Sequence, residues 1–275
     1  DRLLREAEGN VAIHVNVGTD SDSFEVAGRG ELQLAVLIET MRREGFELTV
    51  GRPRVLMHEE KGQTVEPIEE VTIDVDDEFS GAVVQKLTER RGELMEMRQS
   101  GVGRSRLKLL VPTRGLIGYQ SELLSDTRGT AIFNRVFHSY APHKGPLPGR
   151  RTGVLISNGT GQAVPFALFN LEERGAMLIE PGIQVYEGMI IGEHNKGNDL
   201  EVNPLKGKQL TNMRASGKDE AVRLTTPKKL NLEQALGYVA DDEYVEVTPS
   251  HIRLRKVFLD PHDRKRAMRA EKAAS

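Results

Sequence analysis

The chain contains no cysteine, which excludes disulfides, cysteine-ligated zinc and thiol nucleophiles and fits a reducing compartment. No apolar run approaches the roughly 18 residues of a membrane-spanning helix. Nothing after Asp1 has the pattern of a secretory signal, and the chain reads as a piece of something longer. The G-x-x-x-x-G-K-[ST] phosphate loop is missing, so no nucleotide-hydrolysing machinery is expected of these residues. H-E-x-x-H and G-x-S-x-G are missing too. His138 and His143 are the closest histidines but straddle a strand end that bears a proline, and they read as structural rather than metal-binding. NKGND at 195–199 superficially resembles a guanine-reading motif. Asn198 stands where that motif needs Asp, so the stretch reads as a turn. Paired acids such as Asp76-Asp77 and Asp241-Asp242 fall at turns or helix ends and read as solvated caps rather than an acid/base pair. No catalytic constellation, metal set or cofactor site emerges.

What is present is charge asymmetry. The net charge of −3 averages an acidic beginning, with 15 Lys/Arg against 22 Asp/Glu in residues 1–110, and a basic end, with 16 against 12 in residues 195–275. Such polarity marks chains that turn one end toward a polyanion, and equally chains with a solvated surface and a loose tail. The Ala-, Arg- and Lys-rich last residues read as a frayed or disordered tail.

Three textures follow one another. Residues 1–63 read as helix, strand (VAIHVNV), strand (FEVAG), helix and strand (FELTV), the helix carrying an i, i+3, i+4, i+7 stripe of Leu34, Leu37, Ile38 and Met41. That order lacks only an initial strand to make a split βαβ unit. Residues 64–145 show the unit complete: strand (EEVTIDVD), helix with Phe79, Val83 and Leu87 on one face, strands GELMEMRQ and GRSRLKLLVP, helix (RGLIGYQSELLSD) and strand (TAIFNRVFHSYAP). The Pro- and Gly-rich PHKGPLPGRRTG reads as a linker. Residues 146–275 follow with short strands GVLISNG, AVPFALF, AMLIE, QVYEGMIIGEH and LEVN, then a helix capped by Asn231 and the strands EYVEV and HIRLRK. The fold expected is α+β: two tandem ferredoxin-like split βαβ sandwiches, the first truncated at its N-terminus, then a β-rich, barrel-like C-terminal domain with one helix and a long basic loop.

That loop is the most informative stretch. From Val202 to Lys218 there is no acidic residue, while Lys206, Lys208, Arg214 and Lys218 fall there with Asn212 and Ser216. A segment with so little to pack gains order from a partner or stays solvated. Its bases suit phosphates and its amides and hydroxyls suit sugars and base edges. Without aromatics it is no base-stacking platform. Three readings stand on the residues alone: contact with folded RNA, a solvated loop, or a site for a small anion. Arg253 and Arg255 alternate with Ile252 and Leu254 and are expected outward on one face, with Val257 inward. Arg90, Arg91, Arg104 and Arg106 are further candidate bases, or they balance the acidic half.

GRGELQLAVLIETMRREGFEL resembles domain III of translocase-type GTPases, and VPTRGLIGYQSELLSDTRGTAIFNRVFHSY resembles their domain V. Pro53 to Val65 leaves no room for the large domain IV of EF-G, which narrows the likeness to the BipA/TypA and LepA families. GVLISNG, AVPFALF, YEGMIIG, NDLEVNPLKGKQLTNMRASG and LEQALGYVADDEYVEVTPSHIRLRK are similar to the C-terminal domain of the BipA/TypA family. The resemblance implies a ribosome-binding GTPase active in large-subunit assembly and in stress or cold adaptation, with GTP and Mg in a domain outside this chain. It implies contact with large-subunit rRNA and the acceptor end of A-site tRNA, through Lys206, Lys208, Asn212, Arg214, Ser216 and Lys218. A cytoplasmic monomer with no membrane or DNA partner is expected. The alternatives are a small-molecule-sensing regulator built on tandem ferredoxin-like domains, or a module that binds protein alone.

Overall fold

In the computed structural model, which describes residues 1–18, 22–207 and 223–274, the chain opens with α1 (Arg2–Gly9), β1 (His14–Val17), β2 (Phe24–Ala27), α2 (Glu31–Arg43) and β3 (Leu48–Val50). Residues 53–149 then form one compact unit, and residues 1–52 combine with 150–275 to form another.

The 53–149 unit holds β4 (His58–Glu60), β5 (Gln63–Asp76), α3 (Asp77–Glu89), β6 (Glu93–Gly101), β7 (Arg104–Pro112), α4 (Thr113–Leu116), α5 (Tyr119–Asp126) and β8 (Ile132–Pro142). The four long strands run β6-β7-β5-β8, every neighbour antiparallel, which is the split βαβ order expected of residues 64–145. Alternation makes the core: Val71, Ile73 and Val75 of β5 and Leu107, Leu109 and Val111 of β7 meet Val83 and Leu87 of α3 and Tyr119 and Leu123 of α5. The second helix is broken where Gly118 takes φ +71, a left-handed conformation glycine adopts without strain. Glu66, almost wholly buried, accepts from the Arg114 guanidinium and, at 2.7 Å, from the Lys144 amide, so the stretch read as a linker is fastened at this end.

The other unit continues with β9 (Val154–Ser157), β10 (Gly161–Gln162), α6 (Pro165–Glu172), β11 (Gly175–Met177), β12 (Gln184–Val185), β13 (Met189–His194), β14 (Leu200–Val202), α7 (Leu232–Tyr238), β15 (Glu243–Val247), β16 (Ile252–Lys256) and α8 (Pro261–Ala274). The expected barrel is instead an open seven-stranded sheet ordered β14-β9-β13-β16-β15-β3, with β11 also on β13. One face carries Val154, Ile190, Leu254, Val245 and Val247 against Ala35 of α2 and Leu232, Ala235 and Leu236 of α7. Helices cover that face, so the sheet buries it without closing on itself.

The expected tandem pair of sandwiches is corrected here as well. Among the described residues β1 and β2 pair only with each other, and β3 lies antiparallel to β15, Val50 opposite Val245. Where one helix is expected, the described residues of 146–275 form three, α6, α7 and α8. AVPFALF forms α6, not a strand: Pro165 occupies the first turn, where a missing N–H costs nothing. The expected loose tail is α8. Its first turn is capped by Asp260, whose Oδ1 accepts from the His262 amide at 2.6 Å and the Asp263 amide at 3.2 Å.

Candidate nucleic-acid interface

The acid-free segment leaves the fold from β14, the edge strand that runs parallel to β9. Its first residues are held by the backbone: Asn158 N–H donates to the Val202 carbonyl and Val164 N–H to the Pro204 carbonyl, both at 3.0 Å. Asn203 Oδ1 turns back to accept from the Leu205 amide at 2.9 Å. Leu205 then packs on the core of Leu155, Leu168, Met177, Ile191 and Val202. Its seat is made by two glycines of SNGTG at 157–161. A Cβ on Gly159 would lie 3.1 Å from Leu205 Cδ1, and one on Gly161, at φ +155, 3.3 Å from Cδ2.

On the returning side Leu224 enters that same core. Thr225 donates from both its amide and its hydroxyl to Glu172 of α6, each at 2.7 Å, and the Lys228 amide donates to the Met177 carbonyl at 2.9 Å. Both ends of the 208–222 segment are therefore anchored on one small core. Lys206, exposed, is the last base before it. Lys208, Asn212, Arg214, Ser216 and Lys218 lie outside the described residues.

Arg253 and Arg255 do share the face of β16 opposite Leu254, but both are half-buried. Arg255 is committed within the protein. Its Nε lies 2.8 Å from Glu246, close in charge and distance though not aligned as a hydrogen bond. Its Nη1 donates to the carbonyls of Lys256 and Val257, and its guanidinium lies 5.2 Å from the centre of the Tyr244 ring. Glu246 also accepts from the Tyr186 hydroxyl at 2.5 Å. Burial and that bond push the Tyr186 phenol above its ordinary value. Arg253 stands opposite Glu246 in the ladder, yet its shielded Nε has no hydrogen-bond partner. It borders a cleft of about 50 Å³ lined also by Leu178, Met189, Ala235 and Leu254, where Lys228 also stands.

One residue later the strand turns inward a side chain not foreseen there: Lys256, not Val257. It is buried and pairs with Asp199 at 2.6 Å, Asp242 at 2.8 Å and Glu243 at 3.0 Å. Glu243 is in turn held by both Arg150 amino groups, at 2.9 and 2.8 Å. A lysine in a strand reads as outward-facing, and nothing in the local pattern marks this one as an exception.

The four candidate bases of the 53–149 unit are occupied. Arg90 donates to the Gly115 carbonyl and, at 2.5 Å, to Glu122; Arg106 grips Asp74 at 2.7 and 2.8 Å. Arg104 donates to the carbonyls of Asp74 and Thr130, and Arg91 to that of Pro146.

Comparison with known proteins places these features. Residues 152–261 match the family described as the TypA/BipA C-terminal domain, and residues 63–151 match the family described as the elongation factor G C-terminus. The chain is similar to the large ribosomal subunit assembly factor BipA of Salmonella typhimurium strain LT2, 53% identical over 273 residues covering 99% of this chain and 45% of that protein. The same-named proteins of Haemophilus influenzae and of Buchnera aphidicola from Acyrthosiphon pisum are 51% and 50% identical, over 100% and 99% of this chain and 45% of each relative. The chain thus spans about 45% of the length of these curated relatives.

Proposed function

This chain belongs to the TypA/BipA family, and from that premise we propose that it is the ribosome-binding C-terminal portion of a translational GTPase acting in large-subunit assembly. In this reading residues 1–63 and 64–145 correspond to domains III and V of translocase-type GTPases, and residues 146–275 form the RNA-contacting domain. GTP and Mg belong to a domain beyond these residues. Its nucleotide state governs when this portion engages large-subunit rRNA and the acceptor end of A-site tRNA, in the cytoplasm, as a monomer, under stress or cold. Membranes and DNA are not partners.

One observation carries the reading: the segment that contains the acid-free run and its four bases has both flanks fastened to one core, by Leu205 and by Leu224. Anchoring at both ends lowers the entropy that RNA binding must overcome. Lys206, Lys208, Arg214 and Lys218 neutralise phosphates, and Asn212 and Ser216 hydrogen-bond sugar or base edges. Arg253, half-buried on the same strand, joins them through its positive charge; Arg255, held by Glu246, contributes mainly by fixing the strand. A small-molecule sensor draws no support from the cleft beside Arg253, whose roughly 50 Å³ is far below the about 300 Å³ at which ligand sites begin.

A salt titration tests the reading. Binding of the chain to isolated large ribosomal subunits weakens as salt rises, and R214A/K218A flattens the log–log slope by about 1.4, the loss of two phosphate contacts on unpaired RNA. An unchanged slope in that variant removes both residues from the interface, and binding that ignores salt favours a protein-only module.

A further inference from the structure

The last helix lies almost wholly beyond the residues that match the TypA/BipA C-terminal domain, since that match ends at residue 261 and α8 spans Pro261–Ala274. Its root is built with care. Besides the Asp260 cap, Arg264 is nearly buried and donates to the carbonyls of Phe258 and Leu259 and, at 3.1 Å, to Glu201 of β14. Leu259 sits so close on Gly188, which has φ +84, that a Cβ there would come within 2.7 Å of the Leu259 backbone. The Leu259 contact seats the chain against the start of β13, and the Arg264–Glu201 pair ties the start of α8 to β14, one residue before the acid-free segment begins at Val202.

Past Arg264 the helix turns bases to solvent. Lys265, Arg266 and Arg269 are exposed. Only Arg266 has a carboxylate neighbour among the described side chains, Asp263 at 3.4 Å, and that pair is itself exposed. Lys265 and Arg269 are four apart, hence neighbours on one helix face about 6 Å apart at Cβ, a spacing comparable to that of successive phosphates on one strand. The helix lacks the Trp, Phe and Leu face that holds an interfacial helix in lipid: among its described side chains the exposed large apolar one is Met268.

We propose that α8 is a second phosphate-binding arm, in which Lys265, Arg266 and Arg269 bind the RNA backbone next to that engaged by residues 206–218, with the Arg264–Glu201 pair setting the position of one arm relative to the root of the other. The inference rests on the RNA-binding reading above. Two cationic elements leaving one strand edge engage one polyanion jointly, so the second contact is made at high effective concentration.

The test uses the whole chain and a transcript of large-subunit ribosomal RNA. K265S/R266S/R269S, with circular dichroism and urea midpoint matching the parent, flattens the salt slope by about 2 and weakens binding at least about tenfold near 0.1 M salt. E201Q leaves the number of bases unchanged and raises net charge by one. It nevertheless weakens binding several-fold at unchanged slope, because position and not charge is lost; charge alone would tighten it. If the triple variant keeps the parental slope while R214A/K218A flattens it, the α8 proposal is overturned and RNA binding by the segment stands. If neither variant changes the slope, both readings fall. Binding by α8 to vesicles of anionic lipid in preference to the transcript also overturns the proposal.

Discussion

Glu243 is fully buried between two cations, and its titration reports on the folded state. Burial alone pushes its carboxyl upward, but the Arg150 hydrogen bonds and charge, the charge of Lys256 and the Ala240 amide outweigh burial and hold it below the usual carboxylate range. Lys256 is lowered by burial but raised more by Glu243, Asp199 and Asp242. The signs follow from linkage. A carboxylate depressed on folding stabilises above its unfolded value of about 4.3, and that contribution is lost as pH falls through the folded value; a raised lysine stabilises below about 10.4, and its contribution is lost as pH rises through the folded value. The cluster therefore contributes a plateau from about pH 5 to 10. Urea midpoints are expected to stay level across that window and to drop below about pH 4. Replacing Glu243 by Gln makes the acid drop shallower. E243A costs about 3 kcal/mol or more at neutral pH, because it strands Arg150 and Lys256 as uncompensated charges. A midpoint for E243A within error of the parent would mean that water, not Glu243, satisfies those cations.

Among elements, the anchored segment offers a way to separate position from charge. Leu205→Ala keeps every base yet loosens the outgoing end from its seat on Gly159 and Gly161. It is expected to cost about 1–2 kcal/mol of stability, less than a fully buried leucine because Leu205 is only half-buried. RNA affinity should fall with the salt slope preserved, and a flattened slope would show that the substitution disturbs the bases themselves. How much of this was legible in advance depends on how far each signal is local. β7 and α3 declare themselves because apolar and polar residues separate at period two and 3.6. AVPFALF is apolar on every side, so period is silent and only Pro165 hints at a helix start. α8 reads as a loose tail from its composition, which hides the Asp260-Pro261 start signal. For β3, recruitment to β15 is a pairing across nearly 200 residues, which no local pattern carries. Within the candidate site, the bases could be read from the sequence, but the glycine seat of Leu205 and the inward Lys256 depend on tertiary contacts.

At the scale of the whole molecule, the two compact units differ in how the chain supplies them. Residues 53–149 contain their entire core, from Val71 to Ala131, in one continuous stretch. A polypeptide of these residues alone is expected to fold and to unfold cooperatively in urea, with a slope of about 1 kcal/mol per molar, as suits a domain of this size. The other unit is assembled from two separated stretches. Without residues 1–52, β15 loses β3 as its edge partner, and the face carrying Val245, Val247 and Leu254 loses Ala35 and Ile38 of α2. Residues 150–275 alone therefore expose apolar surface and an unpaired strand edge, which together favour aggregation. Supplying residues 1–52 as a separate polypeptide should raise the urea midpoint and restore solubility. Replacing Ala35 by Asp in that peptide should abolish the rescue, since a carboxylate would be buried there without a partner. If residues 150–275 alone reach the midpoint of the intact chain, then α2 and β3 lie on that sheet without stabilising it. The basic segment and α8 would then stand on a platform independent of the first 52 residues.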